Sequence, residues 1–146
     1  MRRSIFSNLS LYLKKNQDRG YEDVSLFEIG PVFFGKNPGE QQIVVGALKS
    51  GKVNRKSWIE KERDIDVFDI KSDAVKTLIE LGLSEKDLFI SDNTKQCYHP
   101  GRSGCIYLKS EKGPRLAYFG EIHPAIIKKL DFKEPNIFGL EIFLKN

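Results

Sequence analysis

Leu26-Phe27-Glu28-Ile29-Gly30-Pro31-Val32-Phe33 is the stretch on which the fold of this 146-residue chain turns. Phe27, Ile29 and Phe33 fall on one face of an extended strand, and Leu26, Val32 and Phe34 on the other. A strand over 25–34 with apolar groups on both faces is predicted to lie centrally in a sheet, covered above and below. Pro31 removes one ladder donor, which predicts a bulge or an unpaired position there. Lys36-Asn37-Pro38-Gly39 is a turn by composition, and Ile43-Val44-Val45-Gly46-Ala47-Leu48 supplies the second arm of a hairpin.

Outward from this hairpin, residues 5–17 read as a helix. Ile5, Leu9 and Tyr12 or Leu13 share one of its faces, and it ends near Gly20. Val67, Ile70, Ala74, Leu78 and Leu81 recur at spacings of 3, 4, 4 and 3, a helical stripe that stops at Gly82. Asp87 to Ser91 is a short strand. Cys105–Leu108 and Leu116–Phe119 flank the loop Ser110-Glu111-Lys112-Gly113-Pro114 as a second hairpin. Pro124 opens a short helix carrying Ile126, Ile127 and Leu130, and Ile137 to Leu144 closes the chain as a strand. Hairpins with helices between them specify an α+β fold, predicted to gather 25–34, 42–49, 103–109, 115–121 and 136–144 in one mainly antiparallel sheet with the 67–82 helix against it. No repeat, linker or shift in composition divides the chain, so residues 1–146 are read as a single domain.

With 40% apolar and 30% charged residues, two Cys and a formal charge of +4, the composition describes a globular domain and excludes fibrous and disulfide-framework classes. No apolar run approaches the roughly 20 residues of a bilayer span, and no signal-peptide core follows Met1, so a cytoplasmic protein is expected. Lys and Arg are mostly interleaved with acids, as in Glu60-Lys61-Glu62-Arg63-Asp64. Between Gln41 and Ser57, however, the only charges are Lys49, Lys52, Arg55 and Lys56. This basic stretch reads as a loop and is a candidate for nucleic-acid phosphate, against the plainer reading of a solvated basic loop.

Three further constellations bear on chemistry. Gly46-Ala-Leu-Lys-Ser-Gly51-Lys52 satisfies the first seven positions of a phosphate-binding P-loop, but Val53 stands where a Ser or Thr would hold Mg²⁺ and no amphipathic helix follows. Cys97, His99, Cys105 and His123 could supply four zinc ligands, yet only Cys97-x-His99 is paired. Each His precedes a Pro, which points to side chains that close turns on backbone groups. Glu28, Glu121 and Glu141 sit within apolar strands. A carboxylate there can serve as a general base, but pairing with a cation such as Arg102 is the simpler role. No catalytic, cofactor-binding or metal-ligating residue is assigned.

The stretch 26–33, preceded by Met1-Arg2-Arg3-Ser4 and by Asn16-x-x-Arg19-Gly20, resembles the catalytic-like module of the phenylalanyl-tRNA synthetase β chain. The resemblance continues in order through Phe68-Asp69-Ile70-Lys71-x-Asp73, His99-Pro100-Gly101-Arg102-Ser103 and Phe119-Gly120-Glu121-Ile122-His123-Pro124, and so covers essentially the whole chain. It implies the class II synthetase fold, an antiparallel sheet flanked by helices. Two departures concern local geometry: Arg3 stands where the family usually has Pro, and Pro31 where it often has Arg.

The resemblance also argues against chemistry in this chain. Active class II synthetases carry Phe-Arg-x-Glu after the Glu-Ile-Gly strand, the Arg gripping the ATP α-phosphate. Here the register reads Phe33-Phe34-Gly35-Lys36. Their last strand ends in an Arg for the γ-phosphate, whereas Phe138-Gly139-Leu140-Glu141-Ile142-Phe143-Leu144 has none. Adenylyl transfer depends on such cations, so the module is expected to be inactive. The expected role is structural: packing against the catalytic α chain in an assembly of two α and two β chains that ligates phenylalanine to tRNA, with ATP and Mg²⁺ held by the α chain. An independent class II-like ligase and a basic nucleic-acid-binding module are the competing readings. The chain looks like a piece excised from a longer β chain without the family's first interface motif. Exposed apolar surface and a sheet edge are therefore expected, with weak, concentration-dependent dimers.

Overall fold

The computed structural model describes residues 6–20, 23–33, 35, 39–52, 64–132 and 136–144. Its elements are α1 (Phe6–Asp18), β1 (Val24–Phe33), β2 (Gln41–Ser50), α2 (Val67–Glu80), β3 (Leu88–Ser91), β4 (Tyr98–Leu108), β5 (Arg115–Ile122), α3 (Pro124–Leu130) and β6 (Ile137–Phe143). The six strands form one sheet in the order β1-β2-β6-β5-β4-β3. Each neighbouring pair is antiparallel. This is the α+β architecture expected from the hairpins, with β6 inserted between β2 and β5.

Alternation along the strands divides the core in two. On one face Val44 and Leu48 of β2, Tyr118 and Ile122 of β5 and Ile137 of β6 pack beneath Phe6, Leu9 and Leu13 of α1 and Ile127 of α3. On the other, Ala47, Phe119, Phe138, Leu140 and Ile142 meet Ile70, Ala74 and Leu78 of α2. The start of α2 is fixed by a reciprocal cap. Asp69 N–H donates to Asp66 Oδ1 (3.1 Å), and Asp66 N–H donates to Asp69 Oδ2 (2.9 Å). Leu81, the last residue of the sequence stripe, is the C-cap and is half exposed.

Two glycines of the family-like motifs have steric reasons. Gly120 and Gly139 face each other across β5 and β6. At Gly139 a Cβ would come within 2.9 Å of the Phe6 ring and 3.0 Å of Leu48, so only glycine lets α1 seat this closely. Gly120 has φ +154°, and its Cβ would lie 2.3 Å from that of Ser103, at the irregular register of β4.

Three expectations need correction. β1 is not central: it is the sheet's first strand, and Phe27 and Ile29 are 75% and 61% exposed. Period-two alternation detects apolar side chains on both faces but cannot tell cover by this chain from cover by another. Pro31 makes no bulge either, because β1 pairs with β2 in unbroken register from Val24↔Ser50 to Phe33↔Gln41. An edge strand tolerates proline, having a ladder on one side only. Finally, the basic stretch does not begin as a loop. Lys49 and Ser50 lie in β2, which pairs with both β1 and β6.

Candidate functional site

The synthetase-like reading directs attention to the tip of the β1–β2 hairpin and to β6. Phe34 and Lys36 lie outside the described residues, as do Arg55, Lys56 and Val53. β6 is described throughout. Phe138, Leu140 and Ile142 are spent on the α2 core, and Ile137, Gly139, Glu141 and Phe143 face the α1 side. Glu141 is the charged residue of this strand, and it is 3% exposed.

A buried carboxylate is tolerable only when its lone pairs are filled. Tyr98 Oη donates to Glu141 Oε1 at 2.9 Å, and Lys95 Nζ lies 3.2 and 3.1 Å from Oε1 and Oε2. The ammonium also sits 4.8 Å from the Tyr118 ring centroid and 5.6 Å from that of Phe143, so the neutralising cation is held by ring faces as well as by charge. Tyr118 meets Phe143 edge to face, and Tyr98 meets Phe6 in the same way. Burial, reinforced by the Glu141 charge, raises the Tyr98 hydroxyl well above the ordinary tyrosine range, which keeps it a donor. Burial pushes the Cys97 thiol up to about 11, again with Glu141 adding, so this cysteine is held as an unreactive thiol.

The other sequence candidates also have structural partners. Glu121 takes a 2.9 Å ion pair from Arg102, the pairing named from sequence. Glu28 is half-buried on β1. Lys49 is ion-paired with Asp73 of α2. The Lys52 N–H donates to Asp23 Oδ1 (2.8 Å), and Lys52 forms an isolated bridge with Asp64. Gly46 to Ser50 are extended β2 residues paired on both sides, not a phosphate-cradling loop.

His99 Nδ1 accepts from Gly101 N–H (3.0 Å), and His123 Nδ1 accepts from Ala125 N–H (3.0 Å) as the N-cap of α3. Both histidines therefore close turns, as the adjacent prolines suggested. Cys97 and Cys105 are free thiols, and among the described residues no three Cys, His, Asp or Glu side chains gather as a metal site.

Sequence reasoning missed the partners of Glu141. Lys95 lies in an aperiodic segment before β4, and Tyr98 heads a strand whose pattern is broken by His99-Pro100-Gly101. The remaining signal was the lone acid in Leu140-Glu141-Ile142, a buried position that demands a donor from elsewhere.

Residues 1–144 match the family described as the phenylalanyl tRNA synthetase beta chain CLM domain. The chain is 37% identical over 145 residues to the phenylalanine–tRNA ligase beta subunit of Paramagnetospirillum magneticum and 42% identical over 144 residues to that of Rhodospirillum rubrum. Each alignment covers 99% of this chain but 18% of the relative's length. Among solved structures, the pyrrolysyl tRNA synthetase PylSc of Desulfitobacterium hafniense superposes with a TM-score of 0.65 at 14% identity, over 98% of this chain and 47% of that one. The fold is thus class II-like.

Proposed function

Because the chain belongs to the phenylalanyl-tRNA synthetase beta chain CLM domain family, we propose that it is a non-catalytic module that packs against the catalytic α chain and so supports ATP-dependent ligation of phenylalanine to tRNA. Its setting is a cytoplasmic assembly of two α and two β chains, with ATP and Mg²⁺ on the α chain and tRNA bound by the whole complex. None of the helices among the described residues is long and apolar enough to cross a membrane.

The observation that carries this reading is the state of β6. Where a phosphate-binding arginine would be needed, the strand ends Phe143-Leu144, and its one acid is buried against Tyr98 and Lys95. A cation already neutralised by Glu141 has little to offer a triphosphate, and a general base must reach its substrate's proton, which Glu141 at 3% exposure does not. Phe34 is apolar at the position of the second phosphate contact. Each missing charge-assisted contact costs about 1.5–3 kcal/mol of binding, so two weaken ATP by about a hundredfold or more. Calorimetric titration with ATP and Mg²⁺, together with phenylalanine-dependent pyrophosphate exchange, tests the reading. No heat at micromolar ATP and no exchange above background are expected. Micromolar binding or measurable exchange would overturn it in favour of an independent ligase.

A further inference from the structure

On the α1 face of the sheet, the space between the two helices is not filled. A cavity of about 450 Å³ opens there, within the range of about 300–1,000 Å³ typical of small-molecule sites. Its floor is Leu48 of β2, Ile122 of β5 and Ile137 of β6, all buried. One wall is α1, where Phe6, Ser10 and Lys14 follow at four-residue spacing and so line one flank. The other wall is α3 and the residue pair that follows it. The left-handed turn at Asp131 sends the Phe132 N–H back to the Ile127 carbonyl (3.4 Å), which turns Phe132 against the helix, where it lines the cavity with Ile126. Lys14 Nζ ties the walls together by donating to the Asp131 carbonyl oxygen (2.9 Å). Floor and walls are this chain's own sheet and helices, so the concavity owes nothing to an open sheet edge.

We propose that this cavity binds a small amphipathic carboxylate, its apolar body on Leu48, Ile122 and Ile137 and its carboxylate at Lys14. Among the described residues that line the cavity, the polar side-chain groups are Ser10 Oγ, the Lys14 ammonium and the Cys97 thiol. A peptide segment laid in it would bring an N–H and a C=O with each residue, and this lining could satisfy few of them; each one buried without a partner is costly. A body without hydrogen-bonding groups meets no such cost, and apolar cavities take up ligands of that kind.

Lys14 sets the head group. An ammonium has three donors. One goes to the Asp131 carbonyl, and Asp18 Oδ1 lies 4.0 Å away, beyond hydrogen-bond length. Donor capacity is left for an acceptor from the cavity, and a charged acceptor makes the stronger bond. Ser10, one helical turn earlier on the same flank, supplies a second hydroxyl donor. Cys97, held as a neutral thiol, adds no charge to the lining.

Methyl-resolved NMR titration of the 146-residue chain with sodium octanoate and with 1-octanol, equal in chain length and different in head charge, tests the site. Saturable shifts are expected at Ile122, Ile126 and Ile137, and none at Ile29, which lines a groove on the α2 face. Octanoate should bind with Kd below about 1 mM and at least about fivefold more tightly than octanol. Lys14→Met should weaken octanoate by about fivefold, the worth of a partly exposed charged contact, and leave octanol within about twofold. Ser10→Phe and Ile126→Trp, which fill the cavity, should each weaken both probes by at least about tenfold. Phe27→Lys, on the α2 face, should change neither. Far-ultraviolet dichroism confirms that each variant folds, and either cavity-filling variant suffices for the test. Absence of saturable shifts up to about 10 mM octanoate, shifts centred on Ile29, equal affinity for acid and alcohol, or octanoate binding that survives Lys14→Met or a folded cavity-filling variant would each overturn the proposal.

Discussion

Replacing Tyr98 by Phe isolates the buried polar cluster from the packing around it. The ring is 1% exposed, meets Phe6 at 6.0 Å and Tyr118 at 6.3 Å between centroids, and survives the substitution. What is lost is the 2.9 Å hydrogen bond to Glu141 Oε1, leaving that oxygen with Lys95 at 3.2 Å as its neighbour. A hydrogen bond to a charged acceptor contributes about 1.5–3 kcal/mol, and the acceptor, at 3% exposure, has little access to water as a replacement. Tyr98→Phe should therefore destabilise the chain by about 2 kcal/mol and lower Tm by about 5–10 °C. In a Glu141→Gln background the acceptor is no longer an ion and the same substitution should cost about half as much, a coupling that a double-mutant cycle reads directly. Urea unfolding of the four proteins, followed by dichroism, gives the numbers. If Tyr98→Phe lies within about 0.5 kcal/mol of the parent, the cluster is not what makes Glu141 tolerable in the core, and the case that this acid is structural fails with it.

Other outcomes follow from the same structure. Tyr98, Tyr118, Cys97 and Cys105 all ionise above their ordinary values of 10.0 and 9.0 when folded, mainly through burial. The unfolded chain thus releases these protons first, so stability is held below those values and falls as pH rises through them, which urea midpoints taken across the alkaline range will show. Cys97, held at about 11, should react with a thiol reagent at neutral pH much more slowly than a free cysteine, and at the unfolded rate once urea is added. Gly120→Ala must displace Ser103 and should cost more than about 2 kcal/mol, against about 1 kcal/mol for removing the α2 cap with Asp66→Ala, both by chemical denaturation.

Much of this was legible in the residues. Ile70, Ala74 and Leu78 fall at helical spacing, and all three are buried against the sheet. Pro124 marks the start of α3, and the turn-closing role of His99 and His123 followed from the prolines beside them. Sheet order was not legible, because the alternation of β1 looks the same whether its second face meets α2 or solvent. The difference lies in where α2 lands, over β5 and β6. Nor could spacing show that Lys49 answers Asp73, or that Lys95 and Tyr98 answer Glu141. These pairs are 24, 46 and 43 residues apart and are joined only by the topology. The motif residues have mostly structural employment: Asp69 in a helix cap, Asp73 in an ion pair, Arg102 on Glu121 and His123 as an N-cap. Phe68 is the exception, standing 70% exposed.

The proposed role, in which this chain contributes surface rather than chemistry, requires that it hold a partner. Co-expression with a cognate α chain, one partner tagged, followed by affinity capture and mass determination of the eluted complex, tests that role most directly. Retention of both chains in a fixed stoichiometry that survives dilution is the expected result; an α chain that elutes alone while this chain is folded and present would contradict it.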